Sequence, residues 1–155
     1  DLHVRPTLSR NVVMEWAHRL RSHDFTEATS LARRARELAP SLRRRTTIVV
    51  LSDLHDPGSL EALQVLAQQH DCVVLHFEDP AERGVAGTGF FRGREAESGE
   101  TFLGRGGRPW VDTSAWKAEL TRFGIDYLHL PTDQPMVGKL RHFLKHRVRG
   151  PGAVR

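Results

Sequence analysis

The sequence has a single cysteine, Cys72, so it can form neither an internal disulfide nor a cysteine-based zinc site. One cysteine also favours a reducing, cytoplasmic compartment. No apolar run approaches the roughly 20 residues that span a bilayer, and internal repeats and low-complexity segments are missing as well. With 155 residues, 39% of them hydrophobic and 27% charged, the chain is expected to form one globular core.

Acidic residues are missing from the last 17 positions, which hold six basic residues. The remainder of the chain has 17 basic and 19 acidic residues, so the formal net charge of +4 comes from this tail. A nucleic-acid-binding domain is expected to carry its positive charge on a folded face. We therefore predict no nucleic-acid partner and a flexible basic tail over residues 148–155. The start of the chain, without Met or signal peptide, is expected to be a cut edge.

Hydrophobic periodicity predicts an α/β fold, with a mostly parallel sheet flanked by helices. The predicted helices cover residues 9–24, 27–38, 59–69, 112–124 and 135–147, and the predicted strands cover 46–51, 72–77 and 125–130. The first two strands are apolar without alternation, which is typical of strands buried on both faces. Short runs at 89–92 and 100–103 predict a small β-ribbon insertion near residues 87–104.

The first two helices are each expected to turn an apolar side inward. These sides consist of Val12, Val13, Trp16, Ala17 and Leu20 in the first helix, and of Ala28, Leu31, Ala35 and Leu38 in the second.

The segment from Ser52 to Asp56 follows a predicted strand, at the carboxyl end where open α/β sheets bind ligands. Asp53 and Asp56 are candidates for binding a hard cation through oxygen atoms. The alternative is a turn in which either carboxylate accepts hydrogen bonds from backbone amides ahead of Pro57.

Catalytic motifs are few. Asp53 and His55 form an Asp-x-His pair at a strand end, as in calcineurin-like metallophosphoesterases, but the chain lacks Gly-Asp-x-x-Asp and Gly-Asn-His-Glu/Asp. A metal-dependent phosphoesterase centred on Asp53, His55 and Asp56 is therefore only an alternative. Nucleophile elbows, phosphate-binding loops and zinc-protease motifs are absent from the sequence.

Six arginines are concentrated around the linker before the first strand. They are Arg33, Arg34, Arg36, Arg43, Arg44 and Arg45. A solvated helix face plus a loop is one interpretation, and a patch that binds a partner's carboxylates is the other.

A series of short motifs runs along the chain in a fixed order. Ser52-Asp53 follows a buried strand, and Asp79-Pro80-Ala81-Glu82 and Gly87-x-Gly89 come later; the series also includes the segments 69–74 and 97–100. From about residue 9 to residue 147 the chain thereby resembles the C-terminal half of bacterial proteins of the domain-of-unknown-function 58 family. Those proteins contain a von Willebrand factor A-like (Rossmann-like) domain.

The resemblance implies a metal-ion-dependent adhesion site built from three loops. Thr26 matches the second loop and Asp53 the third, with Ser52 and Asp56 as accessory candidates. The first loop, Asp-x-Ser-x-Ser, does not occur in the sequence. We therefore expect residues 1–155 to be a single partial domain, with Mg²⁺ bound in the full-length protein and no cofactor in this fragment.

The family resemblance also implies a non-enzymatic adaptor that partners MoxR-type AAA ATPases in protein maturation. Because strands would be missing from a partial domain, an exposed sheet edge is expected to favour a homodimer. A structural fragment without activity of its own is the remaining alternative.

Overall fold

The computed structural model describes residues 7–22, 30–56, 58–80, 90–94, 101–105 and 113–147. The helices are α1 (Arg10–Arg21), α2 (Leu31–Leu38), α3 (Ser59–Gln69), α4 (Thr113–Arg122) and α5 (Val137–His146), with a 3-10 turn at Ala39–Ser41. The strands are β1 (Thr47–Ser52), β2 (Asp71–Glu78), β3 (Phe90–Arg94), β4 (Thr101–Arg105) and β5 (Asp126–Pro131). Among the described residues, no helix is both long and apolar enough to cross a membrane.

Three strands form a parallel sheet in the order β1-β2-β5. Because parallel neighbours need a crossover, α3 connects β1 to β2, and α4 precedes β5. The strands β3 and β4 pair antiparallel as a separate two-stranded ribbon, which confirms the predicted insertion. The predicted α/β fold with a parallel sheet flanked by helices is therefore correct.

The sheet has an apolar core on each face. On one side, here called the α3 face, the helices α2, α3 and α4 cover the sheet. That core consists of Ala32, Ala35, Val50, Leu54, Ala62, Leu63, Leu66, Cys72, Val74, Leu120 and Ile125. On the other side, the α5 face, Leu140 and Phe143 of α5 pack over Val73, Leu75 and Leu130. The central strand β2 is buried on both faces, as its apolar sequence predicts.

The amino edge of the sheet is held on the α5 face by Arg147, which follows α5. Its guanidinium donates to Asp71 at 2.6 Å and to Asp126 at 2.8 Å, and the side chain is only 10% exposed. The hydroxyl of Thr47 donates to the second oxygen of Asp71 at 3.1 Å. One arginine therefore joins α5 to the first residues of β2 and β5, and Asp71 extends the network to β1.

The prediction that β1 is buried on both faces is wrong. On the α3 face Val50 is 8% exposed, whereas on the α5 face Val49 and Leu51 are 50% and 65% exposed. The cause is position, since β1 is an edge strand of this sheet and α5 packs over β2 and β5.

The predicted inward side of α1 is wrong, and that of α2 is correct in part, since Ala35 is buried and Leu31 packs against the core. Helix α1 buries none of its residues, and Val13 and Leu20 are about half exposed. In α2 the buried residues are Ala32 and Ala35, whereas Leu38 is 38% exposed. Ala28 and Thr26 lie outside the described residues. By contrast, the predicted helix end at Gly124 is confirmed by its left-handed φ of +72°.

Candidate functional site at the carboxyl edge of the sheet

The loop after β1 is held together by its own polar side chains. Asp53 Oδ1 accepts the backbone N–H of His55 at 3.2 Å and the hydroxyl of Ser52 at 3.4 Å. The hydroxyl of Ser52 in turn accepts the backbone N–H of Leu54 at 3.0 Å. The turn that the sequence offered as an alternative is thus present for Asp53. Its carboxylate is partly buried, whereas His55 is exposed.

Leu54 lies at the centre of this loop in the left-handed region, with φ of +62°. A residue with a Cβ atom pays roughly 1–2 kcal/mol for that conformation. Its side chain is 3% exposed and belongs to the core of the α3 face, so packing holds the backbone in place. Strain of this kind is concentrated at functional sites, which makes the loop a candidate on structural grounds as well.

Asp56 fixes the loop to the start of α2. Its Oδ2 accepts the backbone N–H of Ala32 at 2.6 Å, across 24 residues of chain. Ser30, the residue before α2, makes no side-chain cap of its own. A carboxylate at a helix N-terminus satisfies a free N–H and interacts favourably with the helix dipole. In this arrangement Asp56 caps a helix, and the accessory metal role predicted for the residue stays a prediction.

A row of polar side chains crosses the sheet beside this loop. Ser52 of β1 lies opposite His76 of β2, and His76 lies opposite His129 of β5. The imidazole rings of His76 and His129 have centroids 5.5 Å apart. The row is on the α3 face, close to the carboxyl ends of all three strands. It therefore extends the candidate site from β1 across the whole sheet.

Two further side chains complete the row. His76 is fully buried, and its Nδ1 lies 2.6 Å from the hydroxyl of Tyr127. His129 Nε2 lies 3.1 Å from Glu78 Oε2, a close electrostatic contact without the alignment of a hydrogen bond. Burial, reinforced by the negative charge of Glu78, raises the pKa of Tyr127 to about 12. The phenol is therefore a neutral hydrogen-bonding group at physiological pH.

The predicted metal ligands lie only partly within the described residues. Within the described ranges, no three His, Cys, Asp or Glu side chains converge on a point that could hold a metal ion. Thr26, the predicted partner of Asp53, lies outside those ranges. The roles predicted for Asp53 as a metal ligand, and for Asp53, His55 and Asp56 in a phosphoesterase, stay predictions.

Sequence reasoning found Asp53 and missed His76, Glu78, Tyr127 and His129. A signal was present, because polar residues at alternate positions interrupt two apolar strands, at 76 and 78 and again at 127 and 129. Alternate residues of a strand point to the same face. Only the register between β2 and β5 shows that the polar residues of one strand lie next to those of the other.

These features define an α/β domain whose polar side chains gather at the carboxyl ends of its parallel strands. Residues 2–111 match the sequence profile of a family described as protein of unknown function DUF58, and the chain belongs to that family. The match includes the loop after β1 and ends before α4 and β5. Comparisons with curated proteins and with solved structures gave no match.

Proposed function

We propose that this chain is a non-enzymatic protein-interaction module that contacts its partner through the carboxyl edge of the sheet, around Asp53. The observation that carries the proposal is the loop itself. Asp53 is held by Ser52 and His55, Leu54 is strained but buried, and Asp56 fixes the loop to α2. Such a pre-organised loop presents a carboxylate to a partner with little loss of conformational entropy on binding.

The resemblance stated above supports the choice of partner class. A MoxR-type AAA ATPase is the proposed partner, and assistance in maturing other proteins is the proposed role. Behind the loop, His76 is fully buried and hydrogen-bonded to Tyr127, so this pair belongs to the structural support of the edge and not to its contact surface.

The von Willebrand factor A-like resemblance suggests a finer proposal, in which Thr26 and Asp53 contribute ligands to Mg²⁺. Mg²⁺ takes six ligands in near-octahedral geometry, so the ion would need further groups besides these two. When bound, it would offer a coordination position to a carboxylate of the partner. We therefore expect this chain alone to show no measurable Mg²⁺ binding by isothermal titration calorimetry.

The test is the affinity of the chain for a MoxR-type ATPase from the same genome, measured by biolayer interferometry. Asp53→Ala is expected to weaken binding at least tenfold, because it removes the carboxylate at the centre of the loop. The matched control is Glu119→Ala, which removes an exposed carboxylate from α4, away from the loop. Control affinity should stay within twofold of the unmodified chain. Equal affinities for the two variants would contradict the proposal.

Measuring the same affinity in Mg²⁺ and in EDTA distinguishes direct binding by the loop from binding through a metal ion. Loss of binding in EDTA supports the metal-assisted form. If binding is unchanged in EDTA but lost in Asp53→Ala, the loop is still the interaction surface and the metal ion has no part in it.

The open edge of β1 supports a separate proposal, that two copies pair through their sheets. Among the described strands, β1 has a partner on one side only, and unpaired edges are templates for pairing. Sedimentation velocity over a hundredfold concentration range is expected to show a reversible dimer. A single monomer boundary throughout that range would reject it.

A further inference from the structure

Helix α5 carries two histidines one turn apart on its solvent-facing side. His142 and His146 are both exposed, and their imidazole rings are stacked, with centroids 4.2 Å apart and planes inclined by 30°. Residues at i and i+4 of an α-helix are neighbours on its surface. The two rings are therefore brought side by side by the spacing of the helix itself.

A hydrogen bond to the backbone sets the tautomer of His146. Its Nδ1 lies 2.8 Å from the carbonyl oxygen of His142. Because a carbonyl oxygen only accepts hydrogen bonds, Nδ1 carries the proton, and in the neutral ring the lone pair is on Nε2. Histidines that bind metal ions commonly donate their other ring N–H to a backbone carbonyl in this way. His146 is therefore prepared to bind a metal ion through Nε2.

The last turn of α5 is fixed to the sheet. Leu140 and Phe143 pack over the sheet on the inner side of the helix. Directly after the helix, the guanidinium of Arg147 donates to Asp71 at 2.6 Å and to Asp126 at 2.8 Å. The turn that carries the histidine pair is therefore already ordered, and a bound ion does not have to order it.

The histidine pair does not face the open edge of β1. Helix α5 runs antiparallel to the strands, since Met136 packs with Leu130 and Arg147 reaches Asp71 at the opposite edge. With right-handed crossovers through α3 and α4 on the other face, the flank of α5 that bears the pair turns to the β5 side of the sheet. A strand added beside β1 would therefore lie on the far side of the sheet from the pair.

The donor atoms define the class of ligand. Neutral imidazoles suit Zn²⁺, Ni²⁺ and Cu²⁺, whereas Mg²⁺ and Ca²⁺ prefer oxygen ligands. Helix α5 contains no carboxylate, and the sequence has no acidic residue after Asp133. Because Zn²⁺ binds imidazole nitrogen at about 2.0–2.1 Å, two ligands in tetrahedral geometry lie about 3.3 Å apart. Rings with centroids 4.2 Å apart can present two nitrogens at that separation after rotation of the side chains.

The charges around the pair act in both directions. Arg141 and Lys145 are exposed on the same helix and repel a cation. The carbonyl groups at the C-terminus of a helix carry a partial negative charge and attract it. Solvent and salt screen both effects at an exposed helix end. Coordination by the two imidazoles therefore decides whether an ion binds.

We propose that His142 and His146 form a bidentate site for a divalent transition-metal ion, Zn²⁺ or Cu²⁺. Among the residues that the structure describes, no third His, Cys, Asp or Glu side chain joins them, so water completes the coordination shell. The site does not depend on the function proposed for Asp53, because it lies on a different element and takes a different class of ion.

Isothermal titration of the whole chain with Zn²⁺ and with Cu²⁺ tests the site. We expect one ion per chain, with Cu²⁺ bound more tightly than Zn²⁺, as is typical of nitrogen ligands. His146→Gln is expected to weaken Zn²⁺ binding at least tenfold, because a single imidazole remains. The matched control is His18→Gln, which removes an exposed histidine from α1 and should change the affinity less than twofold. Equal affinities of the two variants, or no binding of either ion, would overturn the proposal.

A double variant tests the spacing of the histidines separately from their number. His146→Gln combined with Leu144→His keeps nine histidines in the chain but places the pair at i and i+2, which do not face each other on a helix. This variant is expected to bind Zn²⁺ no more tightly than His146→Gln alone. Affinity equal to that of the unmodified chain would refute a chelate built on helical spacing.

Paramagnetic broadening by Cu²⁺ locates the ion. In proton–nitrogen NMR spectra, substoichiometric Cu²⁺ should broaden the ring resonances of His142 and His146 before those of His18. Equal broadening of all three would indicate unspecific binding by exposed histidines and rule out the site.

Discussion

The carboxylate of Asp56 accepts the backbone N–H of Ala32 at 2.6 Å, and this contact joins the loop after β1 to the first turn of α2. Both partners are local features of the sequence, a strand-end aspartate and a helix start, yet 24 residues separate them. The contact matters for the proposed function because it holds the loop that carries Asp53.

Removal of this cap should destabilise the domain. For Asp56→Ala we expect the free energy of unfolding to fall by about 1–2 kcal/mol, the usual effect of losing an N-terminal helix cap. Urea denaturation followed by circular dichroism measures the change. Glu119→Ala, an exposed carboxylate that caps no helix start, should change stability by less than about 0.5 kcal/mol. A loss of similar size in both variants would show that the cap is not the cause.

Arg147 should be the most sensitive position at the amino edge of the sheet. Its substitution by Ala leaves Asp71 and Asp126 without their shared cation in a partly buried setting. We expect a loss of about 3 kcal/mol, in the range for breaking a buried ion pair. The same substitution in an Asp71→Asn, Asp126→Asn background should cost much less. If Arg147→Ala lowers stability by the same amount in both backgrounds, Arg147 does not act through Asp71 and Asp126.

The hydroxyl of Tyr127 should contribute to stability through His76. Tyr127→Phe retains the ring and removes the group 2.6 Å from His76 Nδ1. Because His76 is fully buried, losing this hydrogen bond should cost about 1–3 kcal/mol. A control is Phe123→Leu, at an exposed position directly after α4, with an expected change below about 1 kcal/mol. Unchanged thermal stability in Tyr127→Phe would contradict the role given to this pair.

Cys72 should make stability depend on alkaline pH. Burial, and to a lesser degree the charge of Asp71, raises the pKa of the thiol from 9.0 to about 11. The folded state thus holds the proton more tightly than the unfolded chain. This stability is fully present below pH 9 and is lost as pH rises through 11, by at most about 3 kcal/mol.

The measurement is urea denaturation at pH 8, 9, 10 and 11 for the unmodified chain and Cys72→Ala. The unmodified chain should lose more stability over this range, because the variant has no thiol to ionise. The thiol should also react slowly with Ellman's reagent at pH 8 until denaturant is added. Parallel curves for the two proteins would contradict the assignment.

Much of the fold could be predicted because it depends on short-range patterns. Helix α3 is predicted to open at Pro57-Gly58-Ser59 and to end at about Gln69, and it covers Ser59–Gln69; the three strands of the sheet each differ from prediction by one residue at each end. The burial of these elements by their neighbours could not be predicted in the same way. The apolar sequence of β1 indicates which environment the strand suits, whereas the exposure of Leu51 depends on where α5 packs.

The candidate site, too, could be predicted from the sequence only in part. Asp53 could be predicted because it directly follows a strand, and the strand end is visible in the sequence. His76 and His129 could not be paired from the sequence, since 53 residues separate them and only the register of β2 with β5 brings them together. The cap of Asp56 on Ala32 was hidden for the same reason.

The central claim is that the loop after β1 is the surface that contacts the partner. Hydrogen–deuterium exchange of the chain, with and without a MoxR-type ATPase, tests it most directly. The account predicts that the amides of residues 52–56 become protected in the complex, and that Asp53→Ala abolishes this protection. A complex that forms while these amides exchange as fast as in the free chain would contradict the account.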